Sequence, residues 1–176
     1  MPKVYNASKI SKFALILICF IAVLVIYLAY KYDYSCNAIC MLNKTLGREN
    51  ITITSANLSY RITVYIANTT TQQARGYMFA DTLGENCTIA ASSFKGCVPK
   101  GMLFVFKNQS NECFWMDNTR IPLEQIWIDA NGSVAEVYNA TPFSKANICY
   151  SGMYVLETNA TYMPIKIGDI ITPNAG

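Results

Sequence analysis

The side chains best suited to chemistry in this chain are three acids, Glu124, Glu157 and Asp169, together with Arg75; there is no His anywhere. Without His or a metal, hydrolytic acid–base work takes a pair of carboxylates held on one substrate. Glu124 and Asp129 are five apart in LEQIWID, and odd spacing on an extended strand sends two side chains to opposite faces. Glu124 falls in line with Ile126 and Ile128, so it is expected to be buried and to need a partner, with Arg120 and Arg75 as candidates. Arg75 and Glu157 have two readings: an anion clamp beside a catalytic acid, or an ion pair that only supports the fold. Asp169, in IKIGDII, reads as a turn acid.

The stretch FWMDNTRIPLEQIWID, residues 114–129, collects further candidates. Trp115, Asp117, Asn118 and Arg120 could line a binding cleft, and Trp115 or Trp127 could stack on sugars, although core packing is the commoner fate of such rings. Pro122 stops a helix from crossing the stretch, so it reads as strand, turn and strand. Gly-x-Ser-x-Gly elbows and phosphate-cradling glycine loops are both absent from the sequence.

Seven cysteines add a second chemistry. Cys19 lies in the most apolar run; Cys36, Cys40, Cys87, Cys97, Cys113 and Cys149 lie after it. An even set in an exported domain points to disulfides, and the expected pairing is Cys36 with Cys40, Cys87 with Cys97, and Cys113 with Cys149, one of fifteen possibilities. The four-residue Cys36–Cys40 spacing is not the dithiol redox motif. Lack of His and of Cys-x-x-Cys argues against zinc, so no metal and no cofactor are expected.

The elements that must position these groups begin with FALILICFIAVLVIYLAY, residues 13–30, eighteen residues without a charge. At helical rise they extend about 27 Å against a bilayer core of about 30 Å, so a transmembrane helix is expected. A cleaved signal peptide is the alternative, with an apolar core longer than usual and bulky Tyr27 where a small residue is wanted. Lys3, Lys9 and Lys12 before the run, with only Lys31 just after it, keep residues 1–12 in the cytoplasm and put the rest outside. Removing these four from the fourteen basic residues leaves ten against eleven acids, a balance of −1 for the exterior part. Nucleic-acid binding needs a basic footprint that this part lacks.

Ten of the fifteen Asn residues stand in Asn-x-Ser/Thr sequences, where chance would give about two. Asn6 is on the cytoplasmic side; Asn43, Asn50, Asn57, Asn68, Asn86, Asn108, Asn131, Asn139 and Asn159 are expected to carry sugars outside. Residues 31–50 read as a stalk, and 51–176 as one compact domain.

Within that domain ITITSA (51–56) and YRITVYIA (60–67) alternate as half-buried strands. TTTQQARGYMFAD, between Asn68 and Asp81, changes to a helical period, with Thr caps at its start and Gly76 inside it. Strand patterns return at 102–107, 112–118, 125–130, 133–139, 153–159 and 165–172, with Asn131-Gly132 as a hairpin turn. The expected fold is therefore α+β and β-rich, a small curved or barrel-like antiparallel sheet with one short helix, preceded by a single transmembrane helix.

RGYMF (75–79), GMLFVF (101–106), FWMDNTRIPLEQIWID (114–129), YVLETNA (154–160) and IKIGD (165–169) follow the order and spacing of the prokaryotic family known as domain of unknown function 192, which the chain resembles over about residues 50–172. The chain departs from that family's pattern with Tyr77 for Leu, Asp117 for Lys, Glu124 for Asp, Trp127 for Phe and Thr161 for Gly. The resemblance implies a small β-rich α+β domain, often exported behind a signal or anchor, and implies no reaction. The expected function is a non-catalytic envelope domain at the cell membrane that holds a ligand, an envelope glycan or a protein partner, touching lipid through its helix. A carboxylate-dependent hydrolase of envelope carbohydrate or peptide is the alternative.

Overall fold

The computed structural model describes residues 12–34, 38–56, 58–83, 100–159 and 164–173. Two compact units divide the chain, 1–37 and 38–176. The first contains helix α1, Lys12–Tyr34, 23 residues long. Every large apolar side chain described along it, from Ile16 to Leu28, is exposed. Among the described residues no helix is long and apolar enough to cross a membrane.

The second unit opens with α2, Ala38–Thr45, and β1, Gly47–Ser55. Leu42 and Leu46 are buried in its core. The stretch read as a stalk thus supplies a helix and the first four residues of a strand, because Leu42 and Leu46 stand one turn apart and bury together. β2 (Leu58–Ala67) pairs antiparallel with β1 from Ser55↔Leu58 to Gly47↔Ile66. The helix after it, α3, is shorter than expected, Thr70–Arg75. Thr69 caps it: the Gln72 backbone N–H donates to the Thr69 hydroxyl oxygen, and the Thr69 backbone N–H donates to the Gln72 side chain. Gly76 lies beyond its end, not inside it, at φ 47° and ψ −135°, a backbone conformation that suits glycine.

β3 (Gly101–Phe114) joins two runs that alternate separately in the sequence, and a register shift between Val105 and Ser110 joins them. β4 (Leu123–Ile128), β5 (Val134–Ala140), β6 (Ile148–Thr158) and β7 (Ile170–Pro173) complete a seven-stranded sheet in the order β5-β4-β6-β3-β2-β1-β7. The sheet is mixed instead of purely antiparallel. β2 and β3 run parallel over Tyr65–Ala67 and Met102–Phe104, which the long connection through α3 permits. Its two outer strands meet through the Ser133↔Ile170 bridge, so the sheet curls almost into a barrel.

Curling gives the sheet an inside and an outside, and both are packed. Ile51, Ile53, Ile62, Val64, Leu103, Ile126, Ile128, Leu156 and Ile171 fill the inside. Tyr65, Met102, Phe104, Leu123, Trp127 and Val155 face outward beneath Leu42, Tyr77, Leu83 and Met116. This explains why all six residues of β4 are buried, where a one-sided sheet would bury alternate ones. The Asn131-Gly132 hairpin forms between β4 and β5, closed by Asp129 N–H to Ser133 O and by the Ser133 N–H donating to the Asn131 side chain.

Candidate functional site

FWMDNTRIPLEQIWID is strand, turn and strand, with one qualification: β6 lies between the two strands, so they do not pair with each other. The turn is closed by Thr119 N–H to Met116 O. Left-handed residues link it to its neighbours. Phe79 (φ 65°) donates its N–H to Asn118 O (φ 57°) at 2.8 Å, while Phe143 (φ 60°) donates to Thr119 O at 3.1 Å.

Between α3, this turn and β3 lies a cleft of about 270 Å³. α3 is held over it from its middle by two adjacent glutamines. Gln72 donates to Thr45 O at 3.1 Å, and Gln73 donates to Val105 O at 2.9 Å and to Ala67 O, at the point where the β2–β3 ladder stops. The last turn of α3 brings Arg75 to the cleft. Phe104, Phe106 and Phe114 form one wall, their rings edge to face with centroids 4.8 Å apart for Phe104–Phe114 and 6.5 Å for Phe106–Phe114. Trp115 is half-exposed at the rim.

Glu157 also lines the cleft, buried on the outer face of β6. β4 pairs with β6 at Gln125↔Glu157, and the Gln125 amide donates to Glu157 Oε1 at 3.1 Å and to Met116 Sδ. Burial pushes the Glu157 carboxyl up to about 7, against the smaller opposing effect of the Gln125 hydrogen bond. Gly76 lies beside the carboxyl: a Cβ there would stand in ordinary contact, 3.8 Å from Glu157 Oε2 and 3.5 Å from the Phe104 ring. Glu112 enters the same cleft from β3, its carboxylate accepting from the Ser110 hydroxyl.

The remaining acids are elsewhere. Glu124 pairs with Thr158 and shares the inner face with Ile126 and Ile128, the opposite side of the sheet from Glu157. Its partner is neither arginine. Arg120 bonds Asp81 at 2.8 Å on the surface, Arg75 lines the cleft, and Glu124 Oε2 is buried with no hydrogen bond; desolvation raises its pKa. Asp169 accepts the Lys166 N–H at 2.9 Å and shapes the turn before β7. Asp129 accepts from Gln109 at 2.7 Å beside the hairpin. The expected Arg75–Glu157 ion pair does not form; Arg120–Asp81 is the salt bridge among the described residues. Of the binding candidates, Arg75 and Trp115 line the cleft, while Asp117, Asn118 and Arg120 do not.

Sequence reading missed Glu112, Phe104, Phe106 and Phe114 as a group. Their two runs look independent until the register shift in β3 folds Phe114 onto Phe104. Among the described residues no three His, Cys, Asp or Glu side chains converge on a metal position.

Cys113 and Cys149 are bonded directly across β3 and β6. Cys36, Cys87 and Cys97, like Asn57 and Asn86, lie outside the described residues, as does the side chain of Cys40. Asn43, Asn50, Asn68, Asn108, Asn131 and Asn139 are exposed, and Asn159 is half-buried. Asn43 accepts from the Tyr65 hydroxyl at 2.6 Å and from Arg48.

Residues 97–172 match the model of domain of unknown function 192, described as an uncharacterized ACR. The matched span contains four of the five sequence blocks and leaves RGYMF outside it. Two solved structures are similar. A Sinorhizobium meliloti 1021 protein, provisionally described as a transcription regulator, is 25% identical with a TM-score of 0.61, over 73% of this chain and 95% of its own. A Novosphingobium aromaticivorans DSM 12444 protein of unknown function is 28% identical with a TM-score of 0.59, over 70% of this chain and 83% of its own. No curated protein matches.

Proposed function

We propose that the chain is a membrane-anchored, glycosylated domain of the cell envelope that binds a ligand without catalysis in the cleft between α3 and β3. The single observation that carries the reading is the composition of that cleft: Arg75, Glu157 and Glu112 set among aromatic rings, with Trp115 open at the rim. The three acids named as catalytic candidates are dispersed. Glu157 is in the cleft, Glu124 is on the other face of the sheet, and Asp169 closes a turn. A two-carboxylate hydrolase built on those three is therefore disfavoured.

The anchor is the uncharged run 13–30. The described apolar side chains of α1 from Ile16 to Leu28 are all exposed, which suits lipid better than water. Six exposed Asn acceptors and the Cys113–Cys149 bond support an exterior location with the N-terminus in the cytoplasm. The Sinorhizobium protein's description is not carried over, since the −1 balance after the anchor offers nucleic acid no net basic excess.

The test is capture of an envelope polysaccharide preparation by the full chain in detergent micelles, compared with Arg75→Gln and Trp115→Ala, while reducing ends are assayed. Binding that both substitutions weaken, with constant reducing ends, is the expected result; release of reducing ends would contradict the non-catalytic reading.

A further inference from the structure

The polar groups of the cleft restrict what it can hold. The Arg75 guanidinium makes no hydrogen bond or ion pair among the described residues, so its five donors are available to a ligand. Glu112 brings one opposing carboxylate, so the two charges balance. Burial pushes the third ionisable group, Glu157, up to about 7, so at pH 7 about half of the molecules keep a proton there to donate. With no net positive charge and with both donors and acceptors, the cleft favours a neutral, hydroxyl-rich ligand over an anion.

Shape narrows the choice further. The three phenylalanine rings pack on one another, whereas Trp115, about half exposed (49%), makes no ring contact among the described residues and is the aromatic side chain left open to a ligand. A peptide would add as a strand beside β3, but Gln73 already occupies the Val105 carbonyl where the β2 ladder ends. The volume of about 270 Å³ lies just below the usual range for small-ligand sites, which limits it to one ring unit.

We propose that this cleft is a subsite for one neutral pyranose unit of a glycan, stacked on Trp115 and hydrogen-bonded by Arg75, Glu112 and Glu157. The assignment rests on the ligand-cleft reading above and adds the ligand's class.

Isothermal titration of the full chain in detergent micelles with maltotriose, mannotriose, chitotriose, trigalacturonate and trialanine tests it. At least one neutral trisaccharide is expected to bind one to one and tighter than trigalacturonate or trialanine. Trp115→Ala should weaken that binding at least tenfold, and Glu112→Gln should weaken it severalfold with the circular dichroism unchanged. Tighter binding of trigalacturonate or trialanine, lost in Trp115→Ala, overturns the neutral-sugar class and leaves the cleft reading intact. No binding by any probe, or binding indifferent to Trp115→Ala, overturns both.

Discussion

The side-chain amide of Gln125 donates to Oε1 of Glu157 at 3.1 Å, joining neighbouring strands β4 and β6 on the outer face of the curled sheet. The bond stabilises the ionised acid, yet burial outweighs it and the carboxyl titrates at about 7.

That balance makes stability depend on pH. The folded chain holds the Glu157 proton up to about 7, while the unfolded carboxyl releases it at 4.5. The contribution is complete below 4.5, falls as pH rises to about 7, and is gone above it, at most about 3 kcal/mol at roughly 1.4 kcal/mol per unit. Urea unfolding of the full chain across this window should show declining stability. Glu157→Gln should flatten most of the decline and leave a smaller residue of the same sign from Glu124, whose pKa is also raised by burial.

Gly76 is the position where a methyl group should do harm. Its φ of 47° with ψ −135° disfavours any L side chain, while the added Cβ would meet the Phe104 ring only in ordinary contact at 3.5 Å. Gly76→Ala is expected to cost about 1–3 kcal/mol in thermal unfolding and to narrow the approach to Glu157.

Thr69 caps α3 through both halves of a capping box. Thr69→Ala should cost about 1 kcal/mol, and because α3 carries Arg75, ligand affinity should fall with it. Thr71→Ala, one residue inside the helix and exposed, should leave both unchanged.

Cys113–Cys149 closes a loop with a sequence separation of 36. Cys113→Ser with Cys149→Ser should lower stability by up to about 4 kcal/mol in the chain-entropy model. Mass mapping of alkylated peptides should find both thiols blocked before reduction and Cys19 open.

Much of this fold was legible in local patterns. The alternation of Ile62, Val64 and Arg61 gave β2, Asn131-Gly132 gave the β4–β5 hairpin, and Cys113 faces Cys149 as expected. What stayed hidden depends on tertiary closure. Curling of the sheet buries both faces of β4, so Glu124 and Glu157 are both buried although they point to opposite sides. No local period announces that the shift between Val105 and Ser110 will bring Glu112 and Phe114 back over Phe104. Leu42 and Leu46 had helical spacing, but their polar surroundings masked it.

The cleft can be tested most directly by acrylamide quenching of tryptophan fluorescence in the full chain, titrated with the neutral trisaccharides. Trp127 is buried and Trp115 half-exposed, so quenching reports chiefly on Trp115. A saturable fall in quenching, absent in Trp115→Ala, is the expected result. Quenching that stays constant at every sugar concentration would contradict a ligand seated in this cleft.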